Sequence, residues 1–290
     1  MGKYSIKDLE SLSGVKAHTI RIWEQRYQLL HPSRTPTNIR YYTDEDLKTL
    51  LNVSLLNKHG IKISSIAHMD KSEMGEKVLS VTSASSDEDV LTESLLRSML
   101  DFDEDRFEKA LNTAIMREGF EKAFVHVLLP LMQRTGVLWV SGSVKPSQEH
   151  FISNLIRRKL CVAVDNIFHD KEKPSKKFLL FLPEGETHEL LLLFTEYILR
   201  KNNHQVAYIG SSLPSDDIPF VHRKFKPDVL LTYVTVPLKS VSLQQFIDGL
   251  SDIFPALKII VSGHQMNDES LKLPHNVERI NSMEDLIRVM

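Results

Sequence analysis

The last two-fifths of the chain constrains the fold most, because from Lys177 onward short β-branched apolar runs alternate with segments of helical period. Strands are expected at 177–182, 205–209, 228–234, 257–261 and 277–280. Helices are expected at 187–201, 216–225 and 243–253, with a short one starting at Met283. Strands that are apolar on both faces and separated by helices make a parallel sheet covered on both sides, a Rossmann-like arrangement. Such sheets take ligands beyond the carboxyl ends of their strands, which singles out the loops at 183–188, 210–214, 235–238 and 262–265. No glycine-rich dinucleotide fingerprint follows the first strand, and no phosphate-cradling P-loop occurs. The first loop does hold Glu186 and His188, two residues apart. A histidine beside a carboxylate suits metal ligation with an orienting partner; a histidine capping the next helix is the alternative.

Upstream, the apolar residues recur with helical spacing. Leu91, Leu95 and Met99 mark a helix at 90–99, and Phe107, Leu111 and Ile115 another at 101–117. A third runs over 120–131, broken near Pro130. Phe151, Leu155, Leu160 and Val164 mark the fourth, at 146–168. Four such helices bury one shared core as a bundle. The polar stretch 70–89 and the Gly/Ser-containing stretch 135–145, which carries Trp139, are expected as loops. Residues 171–176 form a charged linker.

The first 75 residues have a different grammar. Ser5 can cap a helix whose apolar stripe is Ile6, Leu9 and Leu12, and Gly14 can supply a left-handed turn. A second helix at 15–26 turns Val15, Ile20 and Trp23 inward and leaves His18, Thr19, Arg21 and Arg26 outward, which is helix-turn-helix organisation. Residues 30–42, with two prolines and the arginines Arg34 and Arg40, read as a wing braced by Tyr41 and Tyr42. Thr43 or Asp44 then caps a helix through Leu47, Leu50, Leu51 and Leu55. Charge agrees with this division. The whole chain carries −2, but residues 1–75 hold 11 basic and 8 acidic side chains, net +3, against −5 for the remainder. A basic module on an acidic body is compatible with DNA binding at one end; solvated surface arginines are the alternative for Arg21 and Arg40, and core packing for Trp23 and Tyr27.

The order Tyr4-Ser5-Ile6, Gly14-Val15, Thr19-Ile20-Arg21-Ile22-Trp23-Glu24-Gln25-Arg26-Tyr27, Pro32-Ser33-Arg34 and Arg40-Tyr41-Tyr42 resembles the winged helix-turn-helix of the MerR family. The resemblance implies that Thr19, Arg21 and Tyr27, with Arg40 and Tyr41 in the wing, sit at double-stranded DNA. One small module binds weakly, so two or more copies on palindromic or repeated half-sites are expected, and hence a homo-oligomer, a dimer or tetramer.

A helical bundle followed by this sheet resembles the cobalamin-binding module of methionine synthase and of adenosylcobalamin-dependent MerR-type photoreceptor repressors. Glu186-Thr187-His188 matches the acidic-x-His motif whose histidine binds cobalt from below, although Leu191 stands where a glycine is usual. Trp139, Glu149 and His150 match the residues that cover the upper face in the repressors. Thr232 and Gly263 stand for the motifs that cradle the nucleotide tail, and Val140 replaces a histidine found in light-sensing members. The resemblance implies a cobalamin ligand, adenosylcobalamin or methylcobalamin, held by His188.

The sequence thus predicts a multidomain α and α/β protein: a winged helix-turn-helix at 1–75, a four-helix bundle at 86–170 and a Rossmann-like parallel sheet at 177–290. The expected function is a transcriptional regulator whose corrinoid-sensing region controls oligomerisation. A cobalamin-independent region used for oligomerisation or for binding an antirepressor is the alternative. An enzyme is not expected, since no substrate-activating constellation accompanies the sheet. The single cysteine, Cys161, forms no internal disulfide. With no signal region and no apolar run long enough to span a bilayer, the location expected is the cytoplasm, without membrane partners.

Overall fold

The computed structural model describes residues 4–34, 38, 40–84, 88–140, 144–168, 170, 172, 175–238, 241–268, 270–282, 285–286 and 288, the side chains of 11–12, 79–84 and 137–140 excepted. It divides into two compact units, Met1–Ile156 and Arg157–Met290.

In the first unit, Ser5 caps α1 (Ile6–Ser13), and Asp8 closes a capping box with it. Glu10 pairs with Lys16 and accepts the Ala17 N–H at 3.1 Å, at the start of the next helix. Gly14 ends α1 at φ 69°, a conformation that costs glycine least, and α2 (Ala17–Tyr27) follows. Its inward residues are Ile20 and Trp23, both buried; Val15 lies just before it and is half-buried. Strands β1 (Ser33–Arg34) and β2 (Arg40–Tyr41) pair antiparallel as the wing. Tyr42 then exchanges two backbone hydrogen bonds of 2.9 Å with Tyr4, tying the wing to the chain start. Thr43 caps α3 (Asp44–Lys58) in a capping box with Asp46. Leu12, expected on the α1 stripe, lies outside the described side chains.

A short α4 (Ile63–Ile66) leads to α5 (Lys71–Ala84), which replaces the loop expected at 70–89. Asp70 accepts the N–H groups of Ser72 and Glu73, while Glu73 accepts that of Asp70. This reciprocal box starts a helix, and the buried pair Met74 and Val78, four apart, anchors it. The polarity of the segment hid two anchors and a cap.

The bundle comprises α6 (Glu88–Asp101), α7 (Glu104–Glu118), a composite third helix and α10 (Pro146–Asp165). Helix α6 is buried from Val90 through Leu100. The third helix runs from α8 (Phe120–Ala123) through a π-helical turn, Phe124–Leu128, into α9 (Leu129–Val140). The wider turn lets Leu129 donate to the Phe124 carbonyl immediately before Pro130, which has no N–H to give. Helix α9 continues through most of the expected 135–145 loop. Thr135 is buried and donates its hydroxyl to the Leu131 carbonyl one turn back, at 2.8 Å.

The second unit has a five-stranded, all-parallel sheet in the order β4-β3-β5-β6-β7: β3 (Lys177–Pro183), β4 (Gln205–Leu213), β5 (Val229–Tyr233), β6 (Lys258–Ser262) and β7 (Val277–Arg279). Leu179, Phe181, Leu230, Val234, Ile259 and Val261 form a core with Ile247 and Leu250 of α13 (Leu243–Ile253), with Phe254 that caps it, and with Ile218, the first residue of α12 (Ile218–Phe225). The opposite face meets α11 (Leu190–Lys201), where Thr195 and Tyr233 bring their hydroxyls to 2.8 Å. Strand β4 extends into the expected 210–214 loop, aided by positive φ at Gly210 and Ser212. The closing helix expected from Met283 falls largely outside the described residues. Among the described residues, no helix is long and apolar enough to cross a membrane.

Candidate DNA interface and ligand site

The outward face of α2 is a single stripe. His18, Arg21, Ile22, Gln25 and Arg26 are exposed and follow the i, i+3, i+4, i+7, i+8 spacing of one helix side. Thr19 and Tyr27 flank it, half-buried. Thr19 Oγ1 lies 3.3 Å from His18 Nε2, and the Arg26 guanidinium lies over the Tyr27 ring at 5.5 Å. Ile22 and Gln25 escaped the sequence reading; the same helical spacing that picked out Arg21 would have found them.

Glu24 secures the wing from the other side of α2. One carboxylate oxygen accepts the Tyr42 hydroxyl at 2.9 Å and the other sits 3.4 Å from Arg40 Nε. Burial first, then the hydrogen bond to Glu24, holds the Tyr42 phenol well above its ordinary range. Arg34 is exposed and donates to Asn38 at 2.6 Å across the wing turn; Tyr41 is half-buried. Arg40 is therefore tied through Glu24 to α2 and Tyr42, whereas the Arg34 contact stays within the wing.

In the second unit, strand order reverses direction between β3 and β5, the topological switch point where open α/β sheets bind ligands. The loop after β3 holds Glu186, which is fully buried. Its Oε1 accepts the backbone N–H groups of Thr187 and His188 at 2.9 and 3.0 Å, and lies 2.6 Å from His188 Nδ1. Its Oε2 accepts the N–H groups of Thr235 and Val236, after β5, at 2.7 and 3.0 Å. Burial alone would raise this carboxyl, but the His188 ring and the N–H groups of His188, Val236 and Thr235 outweigh it and hold the pKa at about 2. An ionised carboxylate only accepts, so His188 donates through Nδ1; in the neutral ring the lone pair then belongs to Nε2, the tautomer a metal ligand needs.

Helix α11 begins at Leu190, not at Thr187 as expected, because Glu186 takes up the Thr187 and His188 N–H groups and keeps them in the loop. His188 is therefore no helix cap: its side chain, about half exposed, is committed to Glu186 through Nδ1. The neighbouring Glu189 is fixed by Arg157 at 2.6 Å and by the Tyr208 hydroxyl at 3.0 Å. Leu191 is half-buried in the first turn of α11.

Two further residues stand near this end of the sheet. Thr232 is fully buried on β5, and its hydroxyl has no hydrogen-bond partner. Gly263 has φ 107°, and a Cβ there would lie 2.4 Å from the Val234 carbonyl oxygen, so no side chain fits. In the first unit, Glu149 and His150 stand in the first turn of α10, 2.8 Å apart, and Ser153 donates to Glu149 at 2.5 Å. Trp139 lies on α9, its side chain outside the described ones.

A winged helix-turn-helix followed by a helical bundle and an α/β unit with a carboxylate–histidine pair at its switch point is the architecture of a ligand-linked DNA-binding regulator. Residues 4–73 match the MerR HTH family regulatory protein model, and residues 91–162 match the B12 binding domain model. The chain is 30% identical to the HTH-type transcriptional repressor CarH of Myxococcus xanthus over 88% of this chain and 85% of that one. It is 25% identical to the repressor CarA of the same organism over 78% and 74%. The monomethylamine corrinoid protein of Methanosarcina barkeri shares the fold, with a TM-score of 0.55 and 13% identity over 70% of this chain and 98% of that one. The chain belongs to the CarH-like family of MerR-type regulators, with a DNA-binding module at its start and a B12-binding region behind it.

Proposed function

We infer that this regulator binds double-stranded DNA at repeated or palindromic promoter half-sites and that a corrinoid held by its C-terminal region sets its oligomeric state. The carrying observation is the Glu186 carboxylate at the switch point, which engages His188 Nδ1, leaves Nε2 as the nitrogen open to a metal, and joins the loops after β3 and β5.

The remaining residues fit such a group. Thr232 offers a buried hydroxyl with no partner, and Gly263 keeps the adjacent strand end free of a side chain. His188 would ligate the cobalt, Thr232 and Gly263 would receive the nucleotide tail, and Trp139, Glu149 and His150 would contact the corrinoid. An alkylcobalamin bound there would supply a cleavable cobalt–carbon bond. Glu186 would keep the His188 proton on Nδ1 and so hold the ring's orientation. His18, Thr19, Arg21, Arg26 and Tyr27 would read DNA from α2, with Arg34, Arg40 and Tyr41 reaching it from the wing.

Linkage sets what the ligand can do: it shifts DNA affinity only by binding the DNA-competent assembly and the free form unequally. Dimers or tetramers assembled in the corrinoid-bound form would place two reading helices on one DNA. The test is to mix the protein with adenosylcobalamin or methylcobalamin in the dark and record absorption and elution volume on gel filtration. Corrinoid absorption travelling with a larger species, and lost in His188→Ala, supports the proposal. Colourless protein at high micromolar corrinoid overturns it and favours a cobalamin-independent region that oligomerises or meets an antirepressor.

A further inference from the structure

The helical bundle carries a second group of metal-ligating side chains, remote in sequence from His188 and drawn from three elements. Glu88 opens α6, Glu118 closes α7, and His126 projects from the π-helical turn. His126 Nδ1 lies 3.2 Å from Glu88 Oε1 and 3.2 Å from Glu118 Oε2, and one ligand atom from each residue falls within 4.8 Å of the other two. We propose that Glu88, Glu118 and His126 form a binding site for a divalent transition cation of the zinc class.

Charge favours a cation here over a plain ion pair. With a neutral imidazole the group carries two negative charges, and protonation of the ring removes only one of them. Among the described residues, no lysine or arginine pairs with either carboxylate. Glu118 is largely buried, and its second oxygen, Oε1, is fully shielded yet accepts no hydrogen bond. Leaving such an acceptor unmet costs free energy, and a divalent ion beside a neutral imidazole balances both carboxylates.

Geometry agrees. Ligand bonds of about 2.0–2.2 Å put neighbouring donors roughly 3.0–3.5 Å apart around a tetrahedral or octahedral ion, which brackets the observed 3.2 Å. One imidazole with two carboxylates suits zinc or its first-row neighbours better than calcium or magnesium, which take oxygen alone. The π turn supplies the histidine, and turns of this kind are frequent at functional sites. An ion there would clamp the start of α6 and the end of α7 to the segment leading into α9.

The test is isothermal titration of the corrinoid-free protein with Zn²⁺ at pH 7.5, with Mg²⁺ and Ca²⁺ as comparison ions. Zinc should bind with one site per chain, at least tenfold more weakly in His126→Gln and in Glu118→Gln, and unchanged in His188→Ala. That last variant removes the proposed cobalt ligand, so this site and the corrinoid reading stand or fall separately. X-ray absorption on the zinc-loaded wild-type protein keeps the proposal falsifiable if a variant fails to fold: one imidazole among oxygen ligands supports it. Two or more imidazoles, no zinc binding, or equal affinity in folded His126→Gln would overturn it.

Discussion

Glu186 lies 2.6 Å from the Nδ1 of His188 with one oxygen and, with the other, accepts the N–H groups of Thr235 and Val236 across the sheet. One carboxylate thus sets the histidine's tautomer and fastens the two loops of the switch point. Replacing Glu186 by Gln puts an amide hydrogen against donors on at least one side. The expected loss is about 2–3 kcal/mol of unfolding free energy, read from urea denaturation, together with a 10–100-fold loss of corrinoid affinity. A variant as stable and as corrinoid-competent as wild type would refute this role.

The same carboxylate predicts a pH dependence. Its pKa is lowered from 4.5 to about 2 on folding. The stabilisation is therefore complete above the unfolded value and disappears as pH falls through the folded one. Between about pH 5 and pH 2 the chain should lose about 3 kcal/mol through this group. Glu186→Gln should show a shallower acid limb over that window, measured by denaturation at a series of pH values; parallel curves would contradict the assignment.

At the DNA, Arg21 and Arg40 should differ. Arg21 is exposed on the α2 stripe, whereas Arg40 is shared with Glu24. Arg21→Ala should weaken binding to the regulator's own promoter by about 1–3 kcal/mol. Arg40→Ala should cost less and flatten the salt dependence by roughly one phosphate contact. Fluorescence anisotropy at several salt concentrations checks both, and unchanged binding in both variants would remove α2 and the wing from the interface.

Two glycines make a matched pair. Gly263→Ala drives a Cβ against the Val234 carbonyl at a positive φ and should destabilise the second unit by roughly 3 kcal/mol or more. Gly249, inside α13, has nothing within 4 Å of an added Cβ, so Gly249→Ala should stabilise by about 0.5–1 kcal/mol. Thermal melts of the two variants should therefore move in opposite directions.

These residues show which parts of the molecule were legible in the sequence. The sheet, the bundle and the winged module follow from hydrophobic period and turn residues, and α13 matches the expected 243–253. Helix α5 escaped because a capping box and two buried residues replaced an apolar stripe. The break in the third helix was signalled by Pro130, but its resolution as a π turn depends on packing. Glu186 and His188 were visible as a pair. Their tether to Thr235 and Val236 was not, because those bonds are made by backbone groups about 50 residues away that carry no side-chain signature. Glu24 was hidden for a related reason: its partners, Arg40 and Tyr42, reach it only once the wing folds back on α2.

With Nδ1 committed to Glu186, His188 would ligate cobalt through Nε2. Electron paramagnetic resonance of cob(II)alamin bound to protein uniformly labelled with ¹⁵N-histidine tests it directly. Axial ligation by the protein histidine predicts doublet superhyperfine splitting, absent in His188→Ala. Triplet splitting, from the corrinoid's own ¹⁴N base, would contradict it.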